Sequence, residues 1–153
     1  MTNTPNMAGI LTFVMSNEIF AVPASMVLEI LDPGPATPVP TAPAFINKLI
    51  NFRGRVIPLA DLRLRCGLPA GAPSGDTRMV VLEIRFEDEP TLVAILADKV
   101  YEVGILEGVV ADKVPRIGTR WHPEFIKAIG RHKDKFVMIL DIDRIFASSQ
   151  PVL

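Results

Sequence analysis

Residues 51–67 read NFRGRVIPLADLRLRCG, and this stretch decides the fold. The polar pair Arg53-Gly54 parts two apolar runs, and Gly54 is free to take the positive φ that a tight turn needs. Phe45–Phe52 and Arg55–Leu59 are therefore expected to form a hairpin. Pro58 cannot donate to a sheet ladder, which places its strand at an edge or a bulge. Asp61 then stands as the N-cap of a short helix, LRLRC, which Gly67 ends. Strand, turn, strand and capped helix in so short a space favour a small barrel over an open parallel sheet.

The same unit recurs further along the chain. Pro43–Leu62, PAFINKLINFRGRVIPLADL, aligns without a gap on Pro123–Ile142, PEFIKAIGRHKDKFVMILDI. Upstream, Phe20–Ile30, FAVPASMVLEI, aligns on Val93–Val103, VAILADKVYEV. Phe45 meets Phe125, Glu29 meets Glu102, Arg53 meets Lys133 and Asp61 meets Asp141. Apolar positions match cheaply by chance, whereas Pro, Phe, Glu and Asp in register do not, so the reading is an internal repeat. Only the loop between the blocks, 31–42 against 104–122, differs in length.

The remaining segments fit two similar β-rich lobes. Gly9–Met15 and Glu18–Val22 read as strands joined through Ser16-Asn17, and Met79–Phe86 and Thr91–Ala97 as strands around the acidic tip Glu87–Pro90. The five-proline segment Asp32–Pro43 reads as an extended crossing loop. Phe125–Arg131 and Lys135–Leu140 repeat the first hairpin, with Asp141 capping IDRIF. The turn-rich linker Pro69–Asp76 separates the halves, giving a first lobe at about 17–75 and a second at about 76–140 plus terminal segments. Residues 1–8 and 148–153 read as flexible tails.

Composition limits what the chain can do. With 153 residues, 49% hydrophobic and 22% charged, it is long enough to bury a core and of ordinary globular make-up. A net charge of -1 makes no general polyanion binder. No apolar run is long enough for a membrane span, and the N-terminus lacks the basic start and apolar core of a signal peptide, so a cytosolic protein without membrane insertion is expected. Cys66 is the sole cysteine, which excludes an internal disulfide and any multi-cysteine metal site.

Candidates for chemistry are few. His122 and His132 have no partner at metal-ligand spacing, and His132, in the turn expected at Arg131–Asp134, reads as a solvated residue. Phosphate-loop, dinucleotide and nucleophile-elbow motifs are missing. Asp141 and Asp143 could serve as a carboxylate pair, but a cap and a first-turn acid account for them better. Arg53, Arg55, Arg63 and Arg65 are matched by Lys127, Arg131, Lys133 and Lys135; a nucleic-acid groove would usually add aromatic stacking residues, and with one Trp and one Tyr in the chain these read as solvated turn charges. Glu29, inside the apolar Val27–Ile30 run, is either the outward face of an alternating strand or half of an ion pair. Arg53 at a hairpin tip offers a planar fork suited to two-pronged contact with a carboxylate, so protein recognition by the Arg53 loop and the Val-x-Glu segments is the favoured reading.

On these residues the chain resembles the CheW family, the coupling proteins of bacterial chemotaxis. FINKLINFRGRVIPLADLRLRCGL is similar to the family's run of apolar strand, N-[LF]-R-G, [VI]-[IV]-P and D-L-R; ILADKVYEV and FIKAIGRHKDKFVMILDIDRIF resemble its later segments. The likeness spans residues 9–147, read as a single domain. It implies two SH3-like five-stranded β-barrel lobes around a shared apolar core with short helices, no enzyme activity, no cofactor and no metal. It further implies binding to the regulatory domain of the histidine kinase CheA and to the cytoplasmic tip of methyl-accepting chemotaxis receptors, in membrane-associated arrays. Glu29, Asn51, Arg53 and Gly54 match the interaction-surface motif, and Val27, Val100 and Val103 are implied near a receptor groove between the lobes. Lys48 stands where glycine is frequent, and Ala97-Asp98 where Val-Asp is. One copy of the domain favours a free adaptor over a kinase or CheV segment. The alternatives are a small-molecule-binding regulatory domain using the inter-lobe groove and an enzyme with an unfamiliar site.

Overall fold

The computed structural model describes residues 9–69, 71–111 and 122–147; both tails lie outside these. Among these residues twelve strands run in chain order. The first half carries β1 (Gly9–Met15), β2 (Glu18–Pro23), β3 (Val27–Leu31), β4 (Thr37–Pro38), β5 (Lys48–Phe52) and β6 (Arg55–Ala60), closed by α1 (Leu62–Cys66). The second carries β7 (Arg78–Phe86), β8 (Glu89–Ala97), β9 (Lys99–Ile105), β10 (Gly108–Ala111), β11 (Ile126–His132) and β12 (Lys135–Leu140), closed by α2 (Ile142–Ala147). The fold is mainly β, with the two short helices where the sequence places them.

The repeat survives in the pairing. One sheet has the order β4-β5-β6-β8-β7-β3, the other β10-β11-β12-β2-β1-β9. Replacing each strand by its counterpart in the other half turns one order into the other. Register agrees too: Ala94 pairs with Leu59 and Ala21 with Ile139, and the self-alignment equates the two members of each type. The lobe boundary expected near residue 75 is nevertheless not where the sheets divide. Each half lends its first hairpin, β1–β2 or β7–β8, to the sheet built by the other half. We call the sheet of β3–β8 the first lobe and that of β1, β2 and β9–β12 the second.

This exchange explains the core. β1, β2, β7 and β8 are buried on both faces, so alternate residues feed different clusters. Leu11, Phe13, Phe20, Val22, Val80, Leu82, Val93 and Ile95 enter a core shared by the lobes, joined by Phe45, Phe125, Leu62, Ile142 and Ile145. Met79, Val81 and Ala94 turn instead into the first lobe's own cluster with Ile50, Phe52 and Ile57. Ile10 and Ala21 do the same in the second, with Ala128, Val137 and Ile139. Cys66 packs in the shared core, where burial pushes its thiol up to about 12, so it stays a protonated packing group at neutral pH.

Several local expectations change. Each sheet counts six strands among the described residues rather than five: the proline loop adds the two-residue β4 against Leu49 and Lys48 in the first lobe, and β10 takes the equivalent edge of the second, beside β11. Pro58 lies on an interior strand, β6, between β8 and β5. Counting alternate pairs out from the two-residue turn makes Leu49–Pro58 a non-hydrogen-bonded pair, and pairing with β8 begins only at Leu59, so no donor is missed. The acidic tip reduces to Glu87-Asp88, since Glu89 and Pro90 already belong to β8. Lys48 is an exposed first residue of β5 and carries no left-handed backbone. Phe45 and Phe125 precede their strands, in short 3-10 turns.

Both helices begin as the sequence indicates. Asp61 accepts from the Arg63 amide at 3.1 Å and Gly67 ends α1 at φ 80, while Asp141 accepts from the Arg144 amide at 3.1 Å. Arg63, however, is not a solvated turn charge. It is 7% exposed, donates to both oxygens of Asp61 at 2.8 Å and reaches Asp98 at 3.0 Å. Asp98 in turn accepts from the Ser16 amide at 2.8 Å. The network thus ties α1 to the β1–β2 turn and to the β8–β9 junction, where the chain passes from one lobe to the other. Arg65 also departs from the solvated reading: its guanidinium lies 5.4 Å from the Phe45 ring centre and 4.7 Å from that of Phe125, the two phenylalanines the repeat equates.

Candidate functional site: paired hairpin tips

The β5–β6 and β11–β12 hairpins end in two-residue turns, Arg53-Gly54 and Lys133-Asp134, with positive φ throughout: 54 and 82 in one, 53 and 62 in the other. This is the turn that matches strand twist, and it needs left-handed backbone at both positions. The sequence reading assigns that conformation to Gly54 alone. Arg53 and Lys133 adopt it as well, at a strain of about 1 kcal/mol each. Asn51 Oδ1 accepts from the Gly54 amide at 3.0 Å and so holds the first tip, which is the physical role of Asn in N-F-R-G. Arg131 occupies the matching place in the second half, and there Glu107 accepts from the Lys133 amide at 3.1 Å.

Each tip basic residue meets the glutamate that the repeat assigns to it. Arg53 Nη2 lies 2.6 Å from Glu29 Oε1, and Lys133 Nζ pairs with Glu102 Oε2. Of the two sequence readings of Glu29, the ion pair is the one realised. Both glutamates sit beside β-bulges: β3 gains a residue between Val27 and Glu29, and β9 gains one between Val100 and Val103. A bulge re-aims side chains along an edge strand, and β3 and β9 are both edges. The V-x-E spacing is therefore a device for turning a carboxylate toward a hairpin tip.

The remaining predicted positions separate. Val27 and Val100 are half-buried against the shared core, from the edge strands of opposite lobes. Val103 is 61% exposed on β9 beside Ile105 at 65%. Sequence reading missed an apolar companion at each tip: Val56 and Phe136, equated by the repeat, are 68% and 58% exposed. Their signal is a large apolar residue directly after the second turn basic residue, Arg55 or Lys135. His132 is likewise no solvated turn residue. It ends β11 half-buried, with Nδ1 3.0 Å from the Ile105 carbonyl oxygen, and since a carbonyl only accepts, Nδ1 carries the proton. A Cβ on Gly104 would stand 2.4 Å from the His132 ring, so a side chain there would displace that ring.

Charge at the second tip is testable. The hydrogen bond from Lys133 and its positive charge hold the Glu102 carboxyl below its ordinary value of 4.5, with a smaller push from His132 against slight burial. A carboxyl lowered by folding contributes stability above the unfolded value, and that contribution is lost as pH falls through the folded one. Carbon-13 NMR titration should place the Glu102 midpoint below 4.5 and return it toward 4.5 in Lys133→Gln. An unmoved midpoint in the variant would mean the pair does not persist in solution. Among the described residues no group of acidic, His and Cys side chains is placed to hold a metal ion, and no helix is long and apolar enough to cross a membrane.

Two interlocked β lobes, each presenting an ion-paired hairpin tip, define the class of fold. Residues 9–150 match the CheW-like domain, and the chain belongs to that family. It is 32% identical to the chemotaxis protein CheW of Helicobacter pylori over 87% of this chain and 78% of that one. It is 26% identical to CheW of Rhizobium meliloti over 92% and 88%. Among solved structures, the scaffolding protein TtCheW from Thermoanaerobacter tengcongensis superposes with a TM-score of 0.79 at 25% identity, covering 98% of this chain and 96% of that one. The family is one of chemotaxis adaptors and scaffolds, not known as enzymes.

Proposed function

We infer that this chain couples chemoreceptors to the histidine kinase CheA, binding the kinase regulatory domain and the cytoplasmic receptor tip so that receptor state controls autophosphorylation. The observation that carries this reading is the exposed Glu29–Arg53 pair, held at 2.6 Å on a turn braced by Asn51, in a member of the CheW family. Arg53 keeps a side-chain exposure of 72% and so has donors left for a partner carboxylate. Val27, Val100 and Val103 supply the apolar part of a receptor-facing surface. The chain reaches the membrane by recruitment to receptor arrays from the cytoplasm.

Such an adaptor works by differential affinity. Micromolar contacts are worth about 8 kcal/mol each, and tethering in an array raises the effective concentration of the second contact to the millimolar range. A receptor state that favours one adaptor–kinase geometry then biases the kinase without chemistry in the adaptor. Calorimetry with the CheA regulatory domain of the same organism tests this directly. Micromolar binding is the expected result, and no binding to a folded kinase domain would sink the assignment.

A further inference from the structure

The repeat exposes a place where the two lobes differ. In the first lobe Phe52, Val81 and Ile57 are all buried, in that lobe's own cluster. The second lobe puts His132, Thr12 and Val137 at these positions. His132 and Val137 follow from the self-alignment. Thr12 follows from pairing, since Leu11 and Phe13 face Val103 and Val100 where Val80 and Leu82 face Ile30 and Val27. Smaller and polar residues thus replace core aliphatics and a phenyl ring. The space they leave is open: a cleft of about 290 Å³ lined by Thr12, Ile19, Tyr101, His132, Lys135 and Val137, with the Glu102–Lys133 pair beside them.

Its chemistry is mixed in a specific way. Thr12 and Val137 are almost wholly buried and form a floor, while Tyr101, half exposed, stands at the mouth with Lys99 5.5 Å from its ring centre. Among the described residues the cleft is lined by two lysines and one carboxylate. Glu102 answers Lys133, and Lys135 has no hydrogen bond or ion pair among the described residues. The volume sits at the small end of ligand pockets, which run from roughly 300 to 1,000 Å³. We propose that this second-lobe cleft binds a small organic carboxylate, its apolar body against Ile19, Val137 and Tyr101 and its charge on Lys135. An anion seated there lies beside Lys133 and competes with Glu102 for it, so occupancy would reach the ion pair at the second hairpin tip.

Phenylacetate is a suitable probe and neutral phenylacetamide its control, both titrated into the full chain by proton–nitrogen and methyl NMR. Phenylacetate should give saturable shifts at Tyr101, His132 and Val137, with a Kd on the order of 1 mM. Phenylacetamide and the Lys135→Gln variant should each bind about fivefold more weakly. Thr12→Val/His132→Phe, which writes the first lobe's residues into the second, should abolish binding while thermal unfolding stays cooperative. Absence of saturable shifts, equal binding of the amide, or wild-type binding by a folded Lys135→Gln or double variant would overturn the proposal. Should the double variant not fold, the amide and Lys135→Gln comparisons decide. No kinase or receptor enters this assay, so its failure and that of the adaptor reading are separate results.

Discussion

Arg63→Ala is expected to lower the free energy of unfolding by about 3 kcal/mol, the largest stability loss among the charged residues discussed. The guanidinium is 7% exposed and answers two carboxylates at once, both oxygens of Asp61 and one of Asp98. Truncation leaves those acids near each other without their cation. Burial would set the loss at about 3 to 5 kcal/mol, but the Asp61 and Asp98 side chains keep 19% and 34% of their exposure, so water recovers part of it. Arg63→Lys retains charge without the planar fork, and should fall between wild type and alanine. Urea denaturation is the measurement: the midpoint drops and the slope is unchanged if only stability is affected. A loss below about 0.5 kcal/mol would mean the network is no stronger than a surface pair.

That network has a second consequence, because of where it lies. Asp98 joins β8 of the first lobe to β9 of the second, and its carboxylate also holds the Ser16 amide in the β1–β2 turn. Arg63 therefore secures the point at which each half surrenders a hairpin to the other. In the second half Asp143 occupies the position in α2 that Arg63 holds in α1.

The sequence makes some of this legible and hides the rest for identifiable reasons. Hairpins and caps are local, so Arg53-Gly54, Asp61, Gly67 and Asp141 could be read directly. The hairpin exchange is not local. It depends on β2 meeting β12 and β8 meeting β6, and no neighbouring residues encode that choice. A trace remains in the run Met79–Ile84, MVVLEI, and in Leu92–Ala97, LVAILA, which are apolar on both faces, as strands buried on both sides must be. Pro58 misleads because a missing donor suggests an edge, whereas here it falls at a wide pair just before the parallel pairing begins. Arg63 misleads because four arginines close in sequence look alike, although only Arg63 stands two residues after the capping Asp. Glu29 is ambiguous in sequence because a bulge, not strand alternation, decides where it points. The tip companions Val56 and Phe136 carry only a weak local signal, because single exposed apolar residues are common and become informative only when the repeat places them at two equivalent sites.

Arg53→Glu carries the largest expected effect on partner binding. An arginine at the centre of an interface is typically worth 2 kcal/mol or more, so affinity for the cognate partner should fall by about thirtyfold or beyond. Stability should change by less than about 1 kcal/mol, because the Arg53 side chain is 72% exposed and its pair is screened. A single variant does not distinguish recognition of Arg53 from support of the turn by the Glu29 pair. The exchange Glu29→Arg/Arg53→Glu does, since it rebuilds an ion pair across β3 and the tip while inverting the charges a partner meets. If the partner reads Arg53 itself, the exchange restores thermal stability and leaves binding lost. If the pair only holds the hairpin in place, the exchange restores both, and recognition passes to the neighbouring Val56 and the backbone of the turn. Lys133→Glu at the equivalent tip supplies the comparison: loss of the same partner there would assign both lobes to one interface, and retention would give each lobe its own.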